Sequence, residues 1–383
     1  DWSSDVCSSD LFTNDFGPRI GGIENGLVGF LERMPFGEVV VYTCNQGDTR
    51  DYDRAWLEKF GVEIIRDRAE VLLPTPRIIQ SAIAVMKEQS IKKVWLGALA
   101  PLGVASRWFR KAGAEVVVGM SHGHEYWWSK IPPFTFAMRE IGKQIDHTTY
   151  LGSFTYRTMS RWIAPEKLVH NSPGIDYERF VPGDSKELRA KYGIDQKPSI
   201  VSVGRLVHRK GQDRLIESLP IIHRQVPDTQ LVFIGDGPYE KNLKKIVQRM
   251  ELQDHVRFLG RISDDELASH MLLGDIFAMP ARDRLFGLEV EGLGLVYLEA
   301  SACEIPVIVG NSGGAPDTVI DGETGFVVDG NDIHDIAARI CELLQDEQGR
   351  IDMGRRGRQW VIDHWNWERR SALFNKELGF SAT

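Results

Sequence analysis

Short runs of consecutive apolar residues recur along this chain, spaced so that a helix fits between one and the next. Residues 39–42, 93–96, 115–119, 199–203, 230–234, 256–259, 276–279 and 306–309 are apolar at most successive positions rather than alternate ones. That pattern predicts strands buried on both faces. Between several of them, apolar residues return every three to four positions and predict helices at 76–89, 213–225, 239–249 and 332–344. Strand–helix alternation on this scale predicts an α/β protein with parallel sheets covered on both faces. A chain of 383 residues exceeds one ordinary core, so two doubly wound, Rossmann-like domains are expected. The join is placed in SPGIDYERFVPGD, residues 172–184, a stretch of Pro, Gly and Asp.

Composition narrows the class. Hydrophobic residues make up 42% and charged ones 26%, as in globular proteins. No apolar run approaches the roughly 20 residues that span a bilayer. Cysteines 7, 44, 303 and 341 form neither a CxxC pair nor a zinc spacing and read as reduced thiols. The net charge of −8 falls mostly on the second half, since residues 1–180 carry 21 basic against 22 acidic side chains and the remainder 25 against 32. The basic density of a nucleic-acid binder is missing, whereas the first half becomes weakly basic, +2, without Asp1, Asp5 and Asp10, and a weakly basic half suits an anionic lipid surface. Aromatic Trp127, Trp128, Phe134 and Phe136, around Pro132 and Pro133, suit either a lipid interface or ordinary packing. The basic stretch with Arg77, Lys87, Lys92 and Lys93 is either a second lipid-facing surface or a solvated helix face.

The densest chemistry lies in LEVEGLGLVYLEASACEIPVIV, residues 288–309. Glu291 and Glu299 flank a turn whose Gly292 and Gly294 let backbone approach a ligand, and the helix that follows offers the free N–H groups of Leu295 and Val296 to a phosphate. One helical turn further along, Glu299 suits two ribose hydroxyls, and Glu291 suits hexose hydroxyls. Upstream, GRLVHRKGQD places Arg205 and Lys210 after a strand, where a diphosphate needs cations.

Other motifs fail on inspection. Gly17 to Gly22 opens like a Walker A loop, but Ile23 stands where Lys is required. Gly235-Asp236-Gly237 lacks the third glycine of a dinucleotide fingerprint. His122 and His124 in SHGHE share a face of an extended segment, yet no further metal ligands are evident nearby. GNSGG at 310–314 matches a hydrolase nucleophile elbow around Ser312, with Asp329 and His334 downstream, but Pro316 follows closely and His334 falls in a helix.

The E-x7-E spacing, AMPARDRLFGLEVEGLG, GNSGGAPDTVIDGETGFVV, GRLVHRKGQD, TNDFGPRIGGIENGL and SHGHE together resemble the retaining glycosyltransferases of family 4, of GT-B fold. Within that family they look most like the GDP-mannose-dependent phosphatidylinositol monomannoside mannosyltransferases. The resemblance implies two Rossmann-like domains facing a cleft: an acceptor-side domain at 12–178, a nucleotide-sugar domain at 179–362, and a helix at 363–383 crossing back. It implies catalytic roles for His122, Arg205, Lys210 and Glu291. Donor contacts are implied at Gly21, Gly22, Gly294, Leu295, Val296 and Glu299, with the base read near Arg261 and Ile262. Asp317 departs from the pattern, which commonly has Glu there.

No dedicated nucleophile shows itself, so the resemblance implies attack from the leaving group's own face. No metal site is implied, Mg2+ being at most stimulatory. The implied partners are GDP-mannose and a lipid-linked acceptor, without nucleic acid. The implied location is cytoplasmic, with peripheral contact on the inner face of the membrane. Residues 1–11, DWSSDVCSSDL, fall outside the resemblance and read as a non-native start, like translated adapter sequence, or as a disordered tail. On either reading, most of a central strand would be missing. The alternatives are a family member using a UDP-sugar and another acceptor, a nucleotide-sugar epimerase of the same fold, and a non-catalytic nucleotide-sugar binder.

Overall fold

A computed structural model of the chain describes residues 9–379 except 20 and 124. They fall into two compact units: one runs to Gly174 and resumes at Trp367, and the other is Ile175–Asn366. The divisions lie a few residues from the family-implied boundaries at 178/179 and 362/363.

The first unit is a parallel sheet of seven strands. They are β1 (Ser9–Thr13), β2 (Val39–Thr43), β3 (Glu63–Arg66), β4 (Lys93–Leu96), β5 (Val116–Met120), β6 (His147–Tyr150) and β7 (Leu168–His170). Their order is β3-β2-β1-β4-β5-β6-β7. The chain therefore leaves β1 in one direction and returns beside it as β4, which makes the β1/β4 edge the switch point where such sheets bind ligands. Helix Trp367–Glu377 belongs to this unit, and its buried Phe374 packs against Phe30 and Trp95.

The chain start corrects one expectation. Residues 1–8 lie outside the described residues, but Ser9, Asp10 and Leu11 are not a loose end. With Phe12 and Thr13 they form β1, the central strand, in register with Val39–Thr43 on one side and with Lys93–Leu96 on the other. Pairing on both edges holds a strand whose composition alone does not announce it. The cost sits at Asp10, fully buried with neither carboxylate oxygen in hydrogen-bond geometry. Burial raises its pKa to about 7, offset only in part by the nearby Tyr42 N–H.

The second unit holds β8 (Ser199–Val203), β9 (Gln230–Ile234), β10 (Val256–Phe258), β11 (Ile276–Met279), β12 (Val307–Gly310) and β13 (Gly325–Val328). Their order is β10-β9-β8-β11-β12-β13, again all parallel. The switch point here lies between β8 and β11. Both strands are mostly apolar, β8 being interrupted only by the small Ser199 and Ser202, and wholly buried apart from a slight edge at Val203, which is why the pattern showed them plainly.

Candidate functional site

The loops leaving β8 and β11 carry the acids and cations singled out in the sequence. Beyond β8, a short turn at His208–Lys210 ends on Gly211, whose φ of +77° and tight approach to the Pro280 backbone leave no room for a Cβ. Lys210 is 8% exposed and Glu291 6%. Lys210 Nζ lies 2.9 Å from Glu291 Oε2, and Arg209 Nε lies 3.8 Å from the same oxygen. Burial alone would raise the Glu291 carboxyl. The charges of Lys210 and Arg209 outweigh it and hold the group below the ordinary carboxylate value, so it is ionised at neutral pH.

Glycines explain how Glu291 is held. Its backbone N–H donates to Ser312 Oγ at 3.0 Å, and its carbonyl accepts from the Gly314 N–H at 2.9 Å. A Cβ on Gly313 would collide with the Glu291 carbonyl, and one on Gly314 with that of Gly292. The GNSGG turn is therefore a backbone cradle for the Glu291 loop. It is not a nucleophile elbow, because Ser312 is fully buried and its hydroxyl donates to Asp283 at 2.6 Å, while His334 stands exposed on helix Ile333–Gln345. Gly235 and Gly237 serve a similar purpose, since a Cβ on either would strike the backbone of Gly204 or Leu206 in the loop after β8.

Gly294, at φ +87°, opens helix Leu295–Ala302, so the first N–H groups, those of Leu295 and Val296, are free of intrahelical partners. Glu299, on the same helix, is half-buried, and desolvation raises its carboxyl to about 7, with Arg179 lowering it and Asp264 raising it further. Arg205 is exposed, as is Arg261, and Ile262 is half-buried, both of the latter following β10 and Gly260. Asp317 lies half-buried on the short turn Ala315–Thr318.

A second buried network was not legible beforehand. Arg282 is almost fully buried and donates to Asp213 at 2.7 Å and to His208 Nδ1 at 3.0 Å, while its backbone N–H donates to the Arg209 carbonyl at 2.8 Å. Burial and the Arg282 charge push the His208 imidazole below its ordinary value, so it accepts as a neutral ring. This network braces the turn that presents Lys210. The only hint in the sequence was a charged triplet, Arg282-Asp283-Arg284, with two residues between it and the apolar strand before it.

In the first unit, His122 follows β5. Its Nε2 lies 2.6 Å from the Gly97 carbonyl at the end of β4, and a Cβ on Gly97 would press on Thr13 at the end of β1. His122 thus stands beside that unit's switch point. The buried Glu125 carboxylate accepts from Ser121 Oγ and from the N–H groups of His122 and Gly123, which fixes the loop. Gly21 is the extended N-cap of helix Gly22–Leu31. His124 lies outside the described residues, and among those described no group of three or more His, Cys, Asp or Glu is placed to hold a metal.

The surfaces considered for lipid resolve unequally. Arg77 is paired with Asp67 at 2.8 Å and Lys92 with Glu115 at 3.4 Å, while Lys93 donates to the Gly379 carbonyl at 3.0 Å. Trp127, Trp128 and Phe134 pack on one another, leaving Phe136 outward. No helix among the described residues is long and apolar enough to cross a membrane.

Comparison with known proteins bears on the family and the fold. Residues 184–360 match the family model "Glycosyl transferases group 1". The chain is 41% identical over 366 residues to a GDP-mannose-dependent alpha-(1-6)-phosphatidylinositol monomannoside mannosyltransferase of Mycolicibacterium smegmatis, covering 94% of this chain and 96% of that protein. It is 40% identical to the GDP-mannose-dependent monoacylated alpha-(1-6)-phosphatidylinositol monomannoside mannosyltransferase of Corynebacterium glutamicum, covering 94% of each. Among solved structures, Anabaena HepE in complex with UDP superimposes with a TM-score of 0.82 at 16% identity, covering 97% of this chain and 99% of that one. Sucrose-phosphate synthase from Thermosynechococcus elongatus gives 0.77 at 20% identity, covering 96% and 97%. These structural likenesses establish the GT-B type of fold.

Proposed function

The chain belongs to the group 1 glycosyltransferases, and we propose that it moves mannose from GDP-mannose, with retention, to a phosphatidylinositol mannoside or similar lipid-linked acceptor. The observation that carries this reading is the buried Lys210–Glu291 pair at the switch point of the second unit. A diphosphate cation and a sugar-binding acid in contact mark where a hexose joins its phosphate. The donor identity rests on relatives about 40% identical over nearly the whole chain.

In this reading Arg205, Lys210 and the N–H groups of Leu295 and Val296 hold the diphosphate as its negative charge grows. Glu291 orients the hexose and Glu299 the ribose, with the base beside Arg261 and Ile262. In the first unit, Gly21, Gly22 and His122 keep the roles that the family likeness implies, at the donor phosphate and the reacting sugar. The anomeric C–O bond to phosphate breaks, a bond to the acceptor oxygen forms on the same face, and the acceptor proton passes to a phosphate oxygen of the departing GDP. No metal is required, and the protein meets the membrane peripherally, on its cytoplasmic face.

The test is incubation with radiolabelled GDP-mannose, or radiolabelled UDP-hexoses, and phosphoinositide-containing membranes. Label entering lipid from GDP-mannose alone is the expected result. Label from a UDP-sugar, or none in lipid, overturns the donor or acceptor assignment.

A pH dependence follows from Glu299. With its carboxyl raised to about 7, the unliganded protein carries it largely protonated at pH 6 and ionised at pH 8, and only the ionised form accepts from two ribose hydroxyls. Donor binding measured by titration calorimetry should therefore tighten by about tenfold from pH 6 to pH 8. The Glu299→Gln variant should lose that slope, and an equal slope in the variant would remove Glu299 from the ribose.

A further inference from the structure

Between the Arg282 network and Glu291, the chain makes a six-residue hairpin, residues 284–289, built unlike the rest of the second unit. Arg284 and Glu289 exchange backbone hydrogen bonds at 2.9 and 3.2 Å, and their side chains pair at 3.0 Å. At its tip Leu285 and Phe286 both have positive φ, +51° and +56°, followed by Gly287 at +81°. Two successive non-glycine residues in that region are strained, and such strain persists where the surroundings impose it. Its effect is to turn apolar side chains outward. Phe286 is fully exposed, Leu285 61% exposed and Leu288 44%.

Both roots of the hairpin are anchored. Asp283 accepts from Ser312 Oγ, and the same oxygen receives the Glu291 N–H, so tip and sugar-binding acid are fixed to one turn. Three large apolar groups presented to water on an anchored hairpin beside a polar site are a recognition element, not packing. At the hairpin itself Arg282 and Arg284 balance Asp283 and Glu289, so it offers no cationic patch to lipid headgroups, and residues 181–383 together are net acidic, which opposes seating this unit on an anionic bilayer. A single lipid whose polar head enters the site offers hydrocarbon at this place without that repulsion.

We propose that the hairpin of Leu285, Phe286 and Leu288 grips the acyl chains of the lipid acceptor, selecting acylated over deacylated acceptors. The assignment rests on the lipid-acceptor reading above. Its test uses the full chain with Leu285→Asn and Phe286→Asn together, because Asn tolerates positive φ and removes only the apolar surface. With phosphatidylinositol monomannoside in mixed micelles the acceptor KM should rise about tenfold or more. With the deacylated, water-soluble glycerophosphoinositol mannoside, KM should be unchanged, as should donor KM and the melting temperature. An equal rise for both acceptors, or no rise for the acylated one, overturns the proposal.

A binding measurement separates it from failure of the transfer reading. In the presence of GDP, dihexanoyl phosphatidylinositol below its micelle concentration should bind the wild type more tightly than glycerophosphoinositol does, and the variant should lose that preference. No preference in the wild type overturns the proposal, whatever the transfer assay shows. Loss of sedimentation with phosphatidylcholine vesicles in the variant would assign the hairpin to bulk bilayer instead. Loss of a concentration-dependent dimer would assign it to a second copy. Either result also overturns it.

Discussion

Replacing Glu291 by glutamine should lower the rate of hexosyl transfer by about 10²–10³, at saturating donor, without unfolding the protein. The carboxylate is buried and its oxygen sits 2.9 Å from Lys210 Nζ. Glutamine keeps the shape but removes the charge that fixes Lys210 and the strong acceptor for sugar hydroxyls. The reverse change, Lys210→Ala, leaves a buried carboxylate facing only Arg209 at 3.8 Å, so the pKa of Glu291 should climb as well. Breaking a buried pair from one side costs up to about 3–5 kcal/mol of stability. The double variant Glu291→Gln with Lys210→Met should regain part of that stability while remaining inactive. Melting curves and single-turnover rates on the four proteins test this, and near-normal transfer in Glu291→Gln or Lys210→Ala would displace the pair from the site.

The second large effect is on stability. Asp10→Val should stabilise the first unit by about 4 kcal/mol at pH 8 and far less at pH 4.5. Asp10 is buried in the central strand with its pKa raised from 3.8 to about 7, so the folded state binds a proton that the unfolded chain has already released. A raised acid means stability is greatest below the unfolded pKa, is lost as pH rises from about 4 to about 7, and stays low above that. Valine also suits a strand covered on both faces. Asp10→Asn separates the causes, since it is neutral at every pH and should flatten the profile between pH 4.5 and 8. Calorimetric scans that show the same pH slope in Asp10→Asn as in the wild type would show that Asp10 does not carry it.

Most strands of the second unit were readable because burial on both faces favours runs that are apolar at nearly every position, as in SIVSV and IFAM. The strands that escaped are short, half-exposed or polar. Glu63–Arg66 is half-covered at the sheet edge, His147–Tyr150 reads HTTY, and Leu168–His170 has three residues. Gly325–Val328 looked like part of a glycine-rich motif. Their strand character comes from neighbours, not from their own side chains.

Residue type and spacing singled out Glu291, Glu299, Lys210 and the glycines around them, because the chemistry proposed at a phosphate and a sugar restricts which groups could serve. The Arg282–Asp213 pair was hidden, since a charge 69 residues from its partner looks like any solvated charge until burial is known.

By itself the sequence determined the strand–helix alternation, the two-unit α/β class and the kinship with glycosyltransferases. These depend on local periodicity and on motifs read within a few residues. Only the tertiary structure decided that Lys210 and Glu291 meet, that Ser312 is a brace and not a nucleophile, that Asp10 lies in the central strand, and that Phe286 faces water. Each of those depends on which segments the sheet order brings together, and burial and pairing between distant residues leave no periodic trace along a chain.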